Sequence, residues 1–218
     1  LGQYIGNVLR FDLGYSFFYN TPVTQLILQR LPATLLLVFT AQILALFIGV
    51  ILGVISARKP NGIASHFVTI LALFGYSAPV FWTGILLLIG FSLKIQIFPV
   101  AGMQDVTIEG GFWVHFTDIA RHLVLPVITL GSIFLALYSR LARATMMEVL
   151  GSDYVRTAKA KGLSEREVVY KHALKNSLSP VITLAGLQFS AVISGAVLVE
   201  AVFSWPGLGT LAFQSIIA

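Results

Sequence analysis

The chain has 218 residues, of which 57% are hydrophobic and 11% charged, with a mean hydropathy of +0.88. Soluble domains carry about 25% charged residues, so this composition excludes an ordinary soluble domain and points to a polytopic membrane protein. A net charge of +5 would suggest a nucleic-acid partner in a soluble protein, but here the basic residues lie mostly between apolar runs, which reads as an orientation signal in a lipid bilayer. Cysteine is absent, so disulfides and cysteine metal sites are ruled out.

Residues 1–20 are rich in aromatics and glycine and read as an ordered surface segment, not a span. Thr21 is then a cap for a short helix with Pro22 at its first position, and Val23, Leu26, Ile27 and Leu31 recur on one face. That pattern fits an interfacial helix leading into the bilayer and equally an amphipathic core helix. Residues 31–57 are an uncharged run of 27, longer than the ~20 a helix needs to cross the hydrocarbon core. This first span is closed by Arg58 and Lys59, and residues 60–62 make the turn.

The second span covers 66–93 and contains Pro79, which frees a backbone carbonyl and bends the helix. Such bends line pathways in some proteins and only serve packing in others. Residues 94–121 form a loop with Asp105, Glu109 and Asp118. The third span, 122–144, holds Pro126 and ends with Arg140 and Arg143, whose long side chains can snorkel to the interface. The fourth covers 181–202. Beyond it, Trp205-Pro206-Gly207-Leu208-Gly209 predicts a turn followed by a short helix.

Residues 153–180 are the one strongly polar island. A helix from Asp153 to Lys161 is stopped by Gly162, since glycine takes the left-handed closing conformation without steric cost. Ser164 and Glu167 then form a capping box that starts a second helix, with Lys171 and Lys175 in its last turns and Pro180 opening the next element. From spacing alone, this corner is a docking surface or a solvated loop that merely satisfies topology.

No Gly-x-x-x-x-Gly-Lys-Ser/Thr loop is present, so ATP-driven work would come from a partner. His66, His115, His122 and His172 are scattered without metal-ligand spacing, and no histidine faces Ser77 as the base of an intramembrane serine hydrolase. The sequence therefore predicts no catalytic residue, no metal and no cofactor. The polar residues within spans are Gln42, Thr69, Ser77, Thr83, Thr129, Ser132, Gln188, Ser190 and Ser194. Gln42, Ser77, Ser132, Gln188 and Glu200 are the candidates for lining a pathway, although hydroxyls and amides also join helices by hydrogen bonds. Glu200 is the one acid in or bordering a span, at an outer end where water is expected to reach it.

Ten of the 14 basic residues (Arg58, Lys59, Arg140, Arg143, Arg156, Lys159, Lys161, Arg166, Lys171, Lys175) follow the first and third spans, while Arg10, Arg30, Lys94 and Arg121 lie on the other side. Positive charge stays inside, which predicts that 58–65 and 145–180 are cytoplasmic and that both visible ends are extracytoplasmic.

Arg156-Thr157-Ala158, Gly162, Leu163-Ser164-Glu165-Arg166 and His172-Ala173-Leu174-Lys175-Asn176 resemble the "EAA" cytoplasmic loop of ABC importer permeases. They are most similar to the dipeptide, oligopeptide and nickel branch. Arg156 in place of glutamate, Thr157 in place of the first alanine and Lys175 in place of a common proline depart from the general pattern and match that branch. Glu200 to Gly209 is independently similar to the segment after the fifth span of the same family.

The resemblance implies an all-α polytopic fold, a type I ABC importer transmembrane domain with four visible spans of an expected six, the first and last missing. It implies an extracytoplasmic segment and interfacial helix over 1–30, and the transmembrane domain over 31–218 with a coupling loop at 145–180 and an extracytoplasmic segment at 203–218. Arg156, Thr157, Ala158, Lys159, Gly162, Leu163 and Ser164 would contact an ATPase. Implied partners are a second homologous permease, two cytoplasmic ABC ATPases and an extracytoplasmic substrate-binding protein, at the inner or plasma membrane of a prokaryote. Peptide is the implied cargo, with nickel complexes, opines or glutathione as others. The alternative is a channel or ion-coupled secondary transporter that works without ATPases.

Overall fold

The computed structural model describes Gly6 and residues 12–217. The reading of residues 1–5, 7–11 and 218, Arg10 included, lies outside the described residues. A short antiparallel ribbon pairs β1, Tyr15–Ser16, with β2, Thr21–Pro22, and leads directly into α1, Val23–Arg58. The separate short helix capped by Thr21 does not form. The Thr21 hydroxyl donates to Tyr19 O at 2.9 Å, and Pro22 sits just before the helix in an extended conformation. The amphipathic stretch runs through Arg30 and Pro32 into the first span with no glycine between them, and both join one helix of 36 residues, ~54 Å long.

The second span is not a single kinked helix. Helix α2, Ile63–Ser77, and α3, Val80–Lys94, are bent by 107° across Ala78-Pro79. A residue before proline avoids the α region, and Ala78 is extended at φ −80°, ψ 131°. Pro79 supplies no amide hydrogen, so α3 starts afresh. From Leu88 to Lys94 α3 widens into π-type turns.

Helix α4, Phe112–Leu150, begins inside the predicted loop and extends past residue 144 into the first residues of the stretch expected as the coupling loop, 145–180. Two residues later α5, Asp153–Ala160, starts the corner, followed by α6, Glu165–Phe203, and α7, Leu208–Ile217. The helix end expected at Pro180 is absent, and Lys171 and Lys175 lie within α6 rather than in last turns. Pro180 leaves the carbonyl of Asn176, an exposed residue, without its helical donor, and the helix continues through the proline. The turn and short helix predicted around 205–209 do form.

Three continuous helices, α1, α4 and α6, are long and apolar enough to cross a membrane, and the bent pair α2–α3 makes up to a fourth span. Helix α4 is the centre: half of its most apolar stretch is buried, against 33% for α1 and 22% for α6. Its closest neighbour is α1. A Cβ on Gly53 would lie 2.6 Å from the Ala142 Cβ and 2.8 Å from Ser139 O, and one on Gly49 would lie 2.9 Å from the Tyr138 Cβ. Ala41, Ala45, Gly49, Gly53 and Ala57, spaced by four, thus form the small-residue edge that lets the backbones meet. The opposite side of α1 exposes Phe39, Ile43, Phe47, Ile51 and Ile55, an apolar face suited to lipid.

The interior divides in two. The larger core runs through α1, α4 and α6 and is closed by Trp205. A smaller one joins Val54 and Ala57 of α1, Met146 of α4, Val155 and Ala158 of α5, and Val168, Val169 and Ala173 of α6.

Candidate functional site

The smaller core supports the corner. Ser152 precedes α5 in extended conformation, and Asp153 places a carboxylate in its first turn, where it suits the helix dipole. Helix α5 closes through Gly162 at φ +81°, with Gly162 N–H donating to Lys159 O at 3.0 Å and Leu163 N–H to Ala158 O at 3.4 Å. Glycine is required here because a side chain in the left-handed region is strained. The capping box that starts α6 is complete: Glu167 N–H donates to Ser164 Oγ at 3.3 Å, and Ser164 N–H to Glu167 Oε2 at 3.2 Å.

The seven predicted contact residues come together at this corner but do not share one face. Arg156, Thr157, Lys159, Gly162 and Ser164 are exposed, joined by Lys161. Ala158 is buried in the small core and Leu163 packs against it. The Ala158 side chain therefore holds the corner to α1 and α4, and the outward face is cationic and polar. Two further contacts fix the corner: Arg58 reaches Glu165 at 3.5 Å, and Asn176 Nδ2 donates to the Tyr154 hydroxyl at 2.8 Å.

The five pathway candidates do not converge. Gln42 is buried and donates to the Tyr138 hydroxyl at 2.7 Å and to Ala185 O at 3.0 Å, joining α1, α4 and α6. Ser132 donates to Thr129 O and lines an apolar cavity of about 420 Å³ among α1, α2, α3 and α4, together with Leu44, Ile48, Phe74 and Trp82. Ser77 is exposed in a second cavity of about 350 Å³ inside the α2–α3 bend. Gln188 is half-buried on α6 and lines neither cavity.

Glu200 corrects the expectation that water reaches it, because the residue is fully buried. Its carboxylate accepts from Thr34 Oγ1 at 2.6 Å and from the amides of Gly209 at 2.7 Å and Thr210 at 3.2 Å. It thereby serves as the anion at the N-terminus of α7. Trp205 Nε1 donates to Ala33 O at 2.8 Å, and Leu208 N–H to Thr34 Oγ1 at 2.8 Å. A Cβ on Gly207 would overlap the carboxylate, and one on Gly209 would come within 2.5 Å of the Val197 Cα. The spacing from Glu200 to Gly209 thus describes a weld of α1, α6 and α7.

The same end holds the 95–111 loop. Buried Asp118 accepts from Asp105 N–H at 2.7 Å and lies 3.3 Å from His122 Nδ1, while Gly102 N–H donates to Phe203 O at 2.9 Å. Backbone and side-chain hydrogen bonds from Thr107 hold the Asp105 carboxyl below the usual carboxylate range.

Ser190 and Ser194, singled out in the sequence as polar span residues, belong to one longer face whose other members, Ser179, Thr183 and Gly186, went unrecognised. Ser179, Thr183, Gly186, Ser190 and Ser194 are all exposed along α6. Their offsets of four, seven, eleven and fifteen residues were the readable signal. The Thr183 and Ser194 hydroxyls donate to Ser179 O and Ser190 O, the carbonyls four residues back.

A chain with these apolar helices, a central α4 and a polar helical corner between two of them is an all-α polytopic membrane protein. Residues 49–218 match the family model described as "Binding-protein-dependent transport system inner membrane component". The chain is 42% identical over 228 residues to the di/tripeptide transport system permease protein DppB of Pseudomonas aeruginosa, covering 98% of this chain and 68% of that protein. It is 40% identical to the oligopeptide transport system permease protein AppB of Bacillus subtilis, over 98% of this chain and 66% of that one. With the dipeptide transport system permease protein DppB of Escherichia coli it shares 41%, over 95% and 66%. The chain belongs to this family of inner membrane components, and its fold is that of a type I ABC importer transmembrane domain. It spans about two thirds of the length of these relatives.

Proposed function

We propose that this chain is the permease subunit of an ATP-driven importer for di- or oligopeptides and that the corner from Asp153 to Ser164 docks in a groove on a cytoplasmic ATPase. One observation carries the proposal. A helix, a glycine closure and a capped second helix form a rigid unit with an exposed basic face, continuous at both ends with membrane-crossing helices α4 and α6. The names of the relatives favour peptide as cargo.

The excess of basic residues on the corner side supports a cytoplasmic corner, which puts the Glu200 weld outside. The mechanism then needs a second permease, two ATPases and a substrate-binding protein. Closure of the ATPase pair moves the corner as a lever, the spans rock, and hydrolysis resets them. In this reading hydrolysis belongs to the ATPases. The exposed hydroxyl and glycine face of α6 supports a role as the wet wall of the pathway, since lipid is a poor solvent for such a face.

An affinity pull-down from native membranes tests the reading. The intact chain is expected to bring down two ATPases and a second permease, and Gly162→Trp to lose the ATPases while remaining inserted. An inserted, intact chain that comes down alone overturns it and brings ion-driven transport forward.

A further inference from the structure

We propose that Arg140 and Arg143 are positioning residues through which movement of the corner reaches the α2–α3 elbow. The inference rests on the coupling role proposed for the corner and adds the route inward from it. Helix α4 runs into the corner with only Gly151 and Ser152 between it and α5, so displacement of α5 tilts the end of α4. Arg140 and Arg143 stand three residues apart on that end, and both meet α2. The Arg140 guanidinium lies 5.7 Å from the centre of the Tyr76 ring, one residue before the end of α2. Arg143 donates from Nη1 to Thr69 Oγ1 at 2.9 Å and from Nη2 to Pro60 O at 3.4 Å, in the turn that precedes α2. The middle and the end of α2, and the turn before it, are thus fastened to α4 by cations.

These fastenings differ from ordinary packing. Among the described residues neither arginine forms an ion pair, so each charge rests on dipoles and a ring face. A charge in or beside a span is costly, and among the described residues these two are answered by α2 and the turn that precedes it. The contacts are weak enough to be remade during a cycle and directional enough to pull. Helix α2 then ends at Ala78-Pro79, where no amide on Pro79 ties it to α3, so the elbow is a natural hinge. Both cavities beside it are lined by Phe74, Ala78 and Trp82, which belong to the two arms and their junction. Swinging α2 about this point changes the space between the arms.

The test uses the chain assembled with its partner permease and ATPases in liposomes. The sequence has no cysteine, so spin labels at Phe67→Cys on α2 and Leu93→Cys on α3 report the elbow uniquely within this chain. Both positions are exposed and line neither cavity. The label distance is expected to shift when nucleotide is trapped in the parent. In Arg140→Ala/Arg143→Ala the population shift weakens about two- to fivefold for each contact removed, while ATP hydrolysis by the assembled complex continues. Lysine at both positions and Tyr76→Phe, which keep the cations and the ring, restore the shift; a merely structural role predicts no such pattern in a nucleotide-dependent distance. A double alanine variant that shifts like the parent overturns the inference and leaves the coupling corner standing, as does a parent whose elbow ignores nucleotide while uptake proceeds. A parent that never assembles with ATPases overturns both.

Discussion

The two ends of the bundle are built on opposite principles. At the Glu200 end, a buried carboxylate takes three donors, two glycines leave no room for a methyl group, and Trp205 seals the larger core. At the corner end, the apolar core is small, the polar contacts are mostly exposed, and the helices meet through single side chains such as Arg58, Arg143 and Asn176. Buried, satisfied networks tolerate little change, whereas exposed pairs contribute little and exchange easily. One end is therefore a weld and the other a joint, the division expected of a lever that moves on one side of the membrane.

Substitutions can break this contrast or sharpen it. The largest effect is expected from Gly209→Ala, which forces a methyl against the backbone of Val197 and the Glu200 carboxylate. It should cost more than about 3 kcal/mol and sharply lower the yield of folded protein, read by size-exclusion chromatography in detergent. Glu200→Gln comes next. It sets an amide NH2 among donors and should cost about 2 kcal/mol, seen as a lower melting temperature. Gly53→Ala probes the α1–α4 contact next to the smaller core, and overpacking there should cost about 1–3 kcal/mol by the same measurement.

At the joint the effects shrink, and they should register in coupling before they register in folding. Ser164→Ala removes the capping box and should cost about 1 kcal/mol, with more ATP hydrolysed per cargo molecule than in the parent. Arg58→Ala breaks an exposed pair and should change the melting temperature least, by less than the equivalent of about 1 kcal/mol. A melting temperature more sensitive to Ser164→Ala than to Glu200→Gln would reverse the assignment of weld and joint.

The corner was legible in the sequence because its signals are local. Gly162 and the Ser164–Glu167 box act over three or four residues, and the backbone obeyed them. The continuity of α6 was misread for the converse reason: Pro180 looks like punctuation, yet the helix continues through it to Phe203. The orientation of Ala158 was equally out of reach, since which face of α5 is buried depends on Val54, Met146 and Val168, far away in the chain.

By itself the sequence determined the class of protein, the apolar spans, the polar corner and its caps, because hydropathy and capping are properties of neighbouring residues. Tertiary structure alone decided that Pro79 marks a 107° break rather than a kink, that Gln42 joins helices, and that Glu200 is a buried weld rather than a wetted acid. Each of these depends on what a distant segment places against the residue, a helix arm, a tyrosine hydroxyl or the N-terminus of α7, and such distant neighbours are set by packing.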